Sequence, residues 1–436
     1  MRTLLLSVAV LAALALYFLR PGAEEAVVAA DAAGQAESAH QRSGPVDSTL
    51  DVQREELLQL AFEAATRVPA YPHIKTRSEL QERVVVASLE LEQPALARAF
   101  AGRMEGWRRG AAFADIAYFH AQHGPQGDVD GLLELARTEV VKLDLQEQAE
   151  AQGSDGDDEA VEMFQAWRRD RVRAKIARTL LFQGELQRAI EFEAGLQPSE
   201  RGMVEIVRAG RMTPEEADAV AANLAALVKA GTLEDIANAL AVGSVLAARF
   251  HADEVRGPRL RSELEAALVK GPAMFRVDTT LALAERLIAQ GEHTWSHELV
   301  RSAVALLEEI PIAPEDDLPL RARAVELRHA VGDPDARKAL DALLGRFEAV
   351  REQIPALNHA ELLVPLAEAY VALGERAAAM RLYRRAAEQG ALNVNAVPRT
   401  DDLVLVCSSM AVHGVAPDAE LRARLRETLE GLGNPW

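Results

Sequence analysis

The stretch Leu366–Ala386, LAEAYVALGERAAAMRLYRRA, constrains the fold more than any other part of this 436-residue chain. Leu366, Ala367 and Tyr370 fall on one face of a helix. Gly374 follows where the apolar pattern stops and the chain must turn. Ala379, Tyr383 and Ala386 then share one face of a second helix. Alanines at such a contact let two helix backbones approach closely, and tyrosines fill the space beside them. The spacing predicts an antiparallel helical hairpin in which Leu366, Tyr370, Ala379 and Tyr383 are structural.

The first-helix pattern recurs three times. Ile176, Ala177, Leu180 and Gly184 repeat it, with Ala189 in the small position of the second helix. Leu283, Ala284, Leu287 and Gly291 repeat it again, followed by Ser296 and Ala303. In Ile116, Ala117 and Gly124 the large apolar residue is replaced by His120, and Pro125-Gln126-Gly127 lengthens the turn. These segments resemble tetratricopeptide (TPR) repeats, although their starts are not evenly spaced as a regular array requires. The resemblance implies an all-α chain, an α-solenoid of antiparallel helix pairs in a TPR-like superhelix or irregular arc. It also implies an interaction scaffold whose concave surface takes a peptide or a partner's extended segment. Arg178, Glu285, Glu368 and Val371 are the positions the pattern places near that surface.

Helix starts and stops are written along the chain. Thr213-Pro214-Glu215-Glu216 joins an N-cap, a proline at the first helical position and a glutamate at the third. Thr232 with Asp235 and Thr76 with Glu79 repeat the idea. Gly231, Gly291, Gly332, Gly374 and Gly390 fall where apolar patterns end, and Asp333-Pro334 and Ala416-Pro417 restart helices. About eighteen helices of ten to twenty residues are expected, with short connections. Leu403-Val404-Leu405-Val406 is the one sustained β-like run, and it also fits a buried helix. Residues 146–160, QEQAEAQGSDGDDEA, are polar and acidic; they read as a loop or a frayed helix end dividing a helical segment over 47–145 from a longer one over 161–436. The three prolines between Ile310 and Pro319 predict a kinked connection.

Thr3–Leu19 is an apolar run behind Arg2, ended by Arg20-Pro21-Gly22. Seventeen helical residues reach roughly 25 Å, the short limit for crossing a bilayer. The run, within a segment 1–22, is an uncleaved membrane anchor or a cleaved signal peptide. In both readings the body is exported, periplasmic or extracytoplasmic, with the basic start left inside. Residues 23–46 lack apolar periodicity and read as a disordered tether. The formal charge of −19 excludes nucleic acid as a partner, because phosphate binding needs a basic groove. With Cys407 as the sole cysteine, no intramolecular disulfide is possible. Its apolar setting reads as a buried inert thiol.

Catalytic and metal motifs are weak. His293 and His297 share a helix face but lack the glutamate of HExxH and a third ligand. His120 and His123 suit a helix C-terminus better than a metal. Asp155, Asp157, Asp158 and Glu159 lack the alternating spacing of a calcium loop. Neither a nucleophile elbow nor a phosphate-binding loop is present. The basic run Arg168, Arg169, Arg171 and Arg173 reads as intrahelical pairing with nearby acids. The expected function is thus non-catalytic binding of a protein or peptide partner, without cofactor or metal. A self-associating envelope protein and an α/α-type enzyme are the alternatives.

Overall fold

The computed structural model describes residues 48–124, 127–151 and 159–436. Among them are nineteen α-helices and no strand. In chain order they are α1 Ser48–Arg67, α2 Ala70–Glu90, α3 Pro94–Ala101, α4 Trp107–His123, α5 Val129–Ala151, α6 Glu159–Gln183, α7 Leu186–Glu193, α8 Pro198–Ala209, α9 Pro214–Ala230, α10 Leu233–Arg249, α11 Arg256–Leu268, α12 Ala273–Ala289, α13 His293–Glu309, α14 Pro314–Ala330, α15 Ala336–Val350, α16 His359–Ala372, α17 Arg376–Ala391, α18 Ala396–Val412 and α19 Ala419–Glu430. The all-α expectation is met, and Leu403–Val406 is helical within α18. No helix among the described residues is long and apolar enough to cross a membrane. The run Thr3–Leu19 and the tether 23–46 lie outside the described residues.

The even-numbered helices pack in succession, α2 on α4, α4 on α6, and so on to α18. α18 then packs on both α1 and α2, so the succession closes into a ring. The odd-numbered helices seldom touch one another, as suits the wider outer circumference, and most bridge two inner helices. One apolar cluster runs from Leu57 to Val207 and continues through Leu318 to Leu432, joining the two ends of the chain. A second, from Ala209 to Leu327, fills the rest. Nothing in the sequence required the ends to meet.

Each hairpin read from the sequence is present as a packed pair. Leu366, Ala367, Tyr370, Ala379, Tyr383 and Ala386 are all buried between α16 and α17, and Gly374 turns between them with φ +79°. Ile176, Ala177, Leu180 and Ala189 are buried likewise, as are Leu283, Ala284, Leu287, Ser296 and Ala303. Gly184, Gly291 and Gly332 adopt the same positive φ at helix ends. Both capping boxes, Thr213 with Glu216 and Thr232 with Asp235, are formed in full.

Four local readings change. Gly390 lies inside α17 rather than ending it; a Cβ there would meet the Asp402 Cβ at 2.6 Å, so its role is to let α18 approach. Thr76 lies inside α2, whose irregular backbone at Tyr71 and His73 comes earlier. Pro314 opens α14 and Pro319 sits within it, so the bend is confined to 310–313. In the acidic stretch 146–160, α5 continues to Ala151 and α6 resumes at Glu159, and the two pack on each other.

Ala379 has no exposed surface. Ala379→Trp is therefore expected to overpack the α16–α17 contact and cost about 1–3 kcal/mol or more. Arg381→Trp, on the exposed side of the same helix, should stay within about 0.5 kcal/mol of the parent. Denaturant midpoints of both variants check the assignment of faces.

Candidate functional site

The inner layer carries charge in two arrangements. On one side it is neutralised within the wall. Lys175 of α6, with no exposed surface, reaches Glu82 of α2 at 3.2 Å and Asp115 of α4 at 2.6 Å. Arg178, one turn on, donates to Asp115 at 2.8 Å and lies over the Tyr118 ring. Arg108 pairs with Glu82 and with Glu79. Burial alone would raise the Glu82 carboxyl, but Lys175, Arg108 and Arg171 outweigh it and hold the group down at about 2. The basic run is consumed in the same way. Arg169 and Arg173 pair with Asp170 of the same helix, and Arg171 with Glu200 of α8.

On the other side acids are in excess. Arg323 of α14 donates to Glu285 of α12 at 2.5 and 2.8 Å and to Asp278 at 2.7 Å. Across α16, α17 and α18 runs a polar chain. Tyr383 Oη lies 2.8 Å from Ser409 Oγ, Ser409 donates to Glu368 at 2.6 Å, and His413 Nε2 lies 3.5 Å from the same carboxylate. Burial works against the charge on His413, yet Glu368, Glu326 and Glu90 together raise its pKa. Between these groups stands Glu326 of α14, which makes no hydrogen bond or ion pair with another described residue. Burial first, then the repulsion of Glu368 and Glu285, pushes its carboxyl up to about 8, against the pull of His413 and Arg323. The side chain is only half-buried, so water screens part of this effect.

Nearer the other end of the inner helices, Arg83 of α2 holds Asp401 of α18 at 2.6 Å. Their side chains are 46% and 44% exposed, so this pair lines the wall without being sealed in it. The neighbouring Asp402 is buried; burial and the charge of Asp401 push it up to about 8, although Asn393 donates to it at 2.7 Å.

The four positions expected at a binding surface separate. Glu285 and Glu368 both flank Glu326. Val371 packs partly against the core beside them. Arg178 is on the inner layer too, but its side chain is 4% exposed and committed to Asp115. Sequence reading passed over Glu326, Arg323 and His413. The signal was present: Glu285 follows Leu283-Ala284, Glu368 follows Leu366-Ala367, and Glu326 follows Ala324-Val325, each pair buried. The three glutamates thus occupy equivalent positions on three successive inner helices.

Of the remaining candidates, Asp155, Asp157 and Asp158 lie outside the described residues. His293 and His297 are both exposed, and among the described residues no group of three His, Cys, Asp or Glu could hold a metal ion. His123 Nδ1 donates to the Phe119 carbonyl, 2.8 Å away, in the last turn of α4. Cys407 is buried, which pushes its thiol up and leaves it protonated. No protein-family model matches the chain, and no curated protein or solved structure matches it either.

Because Glu82 is held below the ordinary glutamate range, its stabilisation is complete above that range and is lost as pH falls toward about 2. Glu82→Gln leaves Lys175 and Arg178 to share the single carboxylate of Asp115 and is expected to cost about 3–5 kcal/mol at neutral pH. The cost should shrink in acid, as followed by urea denaturation between pH 7 and pH 2.5.

Proposed function

We propose that this protein is a non-catalytic interaction scaffold that holds a basic, extended segment of a protein partner against the carboxylate ladder of its inner wall. The observation that carries this reading is the placing of Glu285, Glu326 and Glu368 at equivalent positions of successive inner helices, where half-buried Glu326 makes no hydrogen bond or ion pair with another described residue. Beside two like charges such a carboxyl takes a proton more readily than a free one. A lysine or arginine brought against it supplies the missing charge and releases the proton. The residues around it are fixed in advance: Arg323 anchors Glu285, and Tyr383 and Ser409 orient Glu368. A preformed wall of this kind loses little order on binding. Equivalent positions on stacked helix pairs suit an extended ligand, which meets one position per pair. The TPR-like pattern of the hairpins points the same way, as does the acidic balance of the chain. The apolar run Thr3–Leu19 would place this scaffold outside the cytoplasmic membrane, anchored or released.

Proton release fixes a sign. Binding of an arginine-rich probe peptide to the full chain should tighten several-fold from pH 6 to pH 9, as Glu326 gives up its proton. In Glu326→Gln that dependence should shrink to what His413 and Asp402 contribute, with stability near that of the parent. Fluorescence anisotropy of the labelled peptide measures both. A flat profile in the parent, or an unchanged one in the variant, would sink the assignment. Crosslinking in intact cells then identifies the natural partner.

A further inference from the structure

The outer helices follow a rule that one of them breaks. α17 lies along its own inner helix, α16, and also touches the next one, α18; α5 and α13 do the same for their neighbours. For α18 this place is not held by the helix that follows it. α19 touches α18 and α17 only at the margin, whereas α1 lies along α18 as fully as α17 lies along α16, and it also touches α2. The first described helix is therefore the second helix of the last pair.

Its seat is specific. Leu57, Leu58, Ala61, Phe62 and Ala65 are all buried there, and Phe62 stacks on Phe100 of α3 with ring centroids 4.4 Å apart. Polar contacts fix the register. Arg67 donates to the Leu429 carbonyl at 2.7 Å, Glu56 pairs with Arg426, and Arg422 lies 3.8 Å from Glu56. The occupant is tied to the rest of the ring by two residues alone, Val68 and Pro69. A link that short cannot stretch, so any parting of α2 from α18 unseats α1 as a unit.

We propose that this seat accepts α1 from a second copy of the chain, so that two molecules exchange closing helices and form a reciprocal dimer. Every contact of the seam is the same whether α1 arrives from its own chain or from a neighbour. The balance is then set by concentration. A short tether gives the helix a local concentration in the millimolar range, which favours the closed monomer when the protein is dilute. Exchange wins where the copies are crowded or where the ring opens transiently, and short hinges favour such swaps.

The seam charges supply a test with the full-length chain. Glu56→Arg mismatches its own seat, and so does the double variant Arg422→Glu, Arg426→Glu. In a mixed dimer with exchanged helices both seams are matched again. The two variants, carrying different fluorophores, are mixed, concentrated and followed by energy transfer and by light scattering after size exclusion. The mixed dimer should exceed either variant's own dimer at least tenfold, and the parent's dimer fraction should rise with concentration. Folded variants that stay monomeric on mixing would overturn the proposal, as would dimers with no preference for the mixed species. If a variant fails to fold alone, recovery of a folded dimer on mixing supports the exchange. A mixture that stays unfolded counts against it.

Discussion

The seating of α1 on α18 is the contact on which the rest of the architecture depends. A row of helix pairs buries apolar surface only between neighbours, and its two end pairs are left with one bare face each. Polar capping helices are the usual remedy. Here the two bare faces cover each other, and one apolar cluster joins the first described helix to the last. Closure also changes what the inner surface is. In an open arc, the side chains of the first helices face bulk water. In a ring they face one another across an interior where protein surrounds them and water still enters.

That enclosure gives the same residue type opposite behaviour at two places on one wall. Glu82 and Glu326 are both glutamates on inner helices, and burial raises both. For Glu82 the nearest charges are Lys175, Arg108 and Arg171, and attraction wins. For Glu326 the nearest include Glu368 and Glu285, and repulsion adds to burial. The first arrangement is an internal staple. Its cost of desolvation is met by charges that are themselves buried and paired, and removing one member strands the others. In the second, the pull of His413 and Arg323 does not offset burial and the two neighbouring glutamates, and the carboxyl is raised.

Much of the fold was legible, because helix pairing is a local property. Leu366, Tyr370, Ala379 and Tyr383 announce their hairpin by spacing alone, and Thr213 with Glu216 announces a helix start within four residues. The failures share a cause. Gly390 reads as a helix stop, since most glycines at such positions are; that it faces Asp402 depends on where α18 lies. Arg178 reads as an outward residue of a first helix, yet the ion cluster that swallows it draws on three helices far apart in sequence. Ring closure itself joins residues 362 apart, as in the bond from Arg67 to Leu429. Of the site, Glu285 and Glu368 were reachable from the hairpin pattern. Glu326 was reachable by the same spacing, since Ala324 precedes Gly332 by eight residues as Leu366 precedes Gly374, but Ala324 stands where the other helices carry a large apolar residue.

The formal charge of −19 takes on a different meaning once part of it is inside. On the outer surface carboxylates sit beside arginines in exposed pairs, such as Glu265 and Glu298 around Arg261, and salt screens their field beyond about 10 Å. Their net effect is solubility. Carboxylates on an enclosed wall are screened less, since fewer ions enter with the water, and their fields add across the interior instead of spreading into solvent. The acidic balance therefore acts differently at two places. Outside it keeps a helical surface solvated. Inside, at Glu285, Glu326 and Glu368, it is concentrated at equivalent positions of three successive inner helices, a placement that the composition of the chain does not reveal.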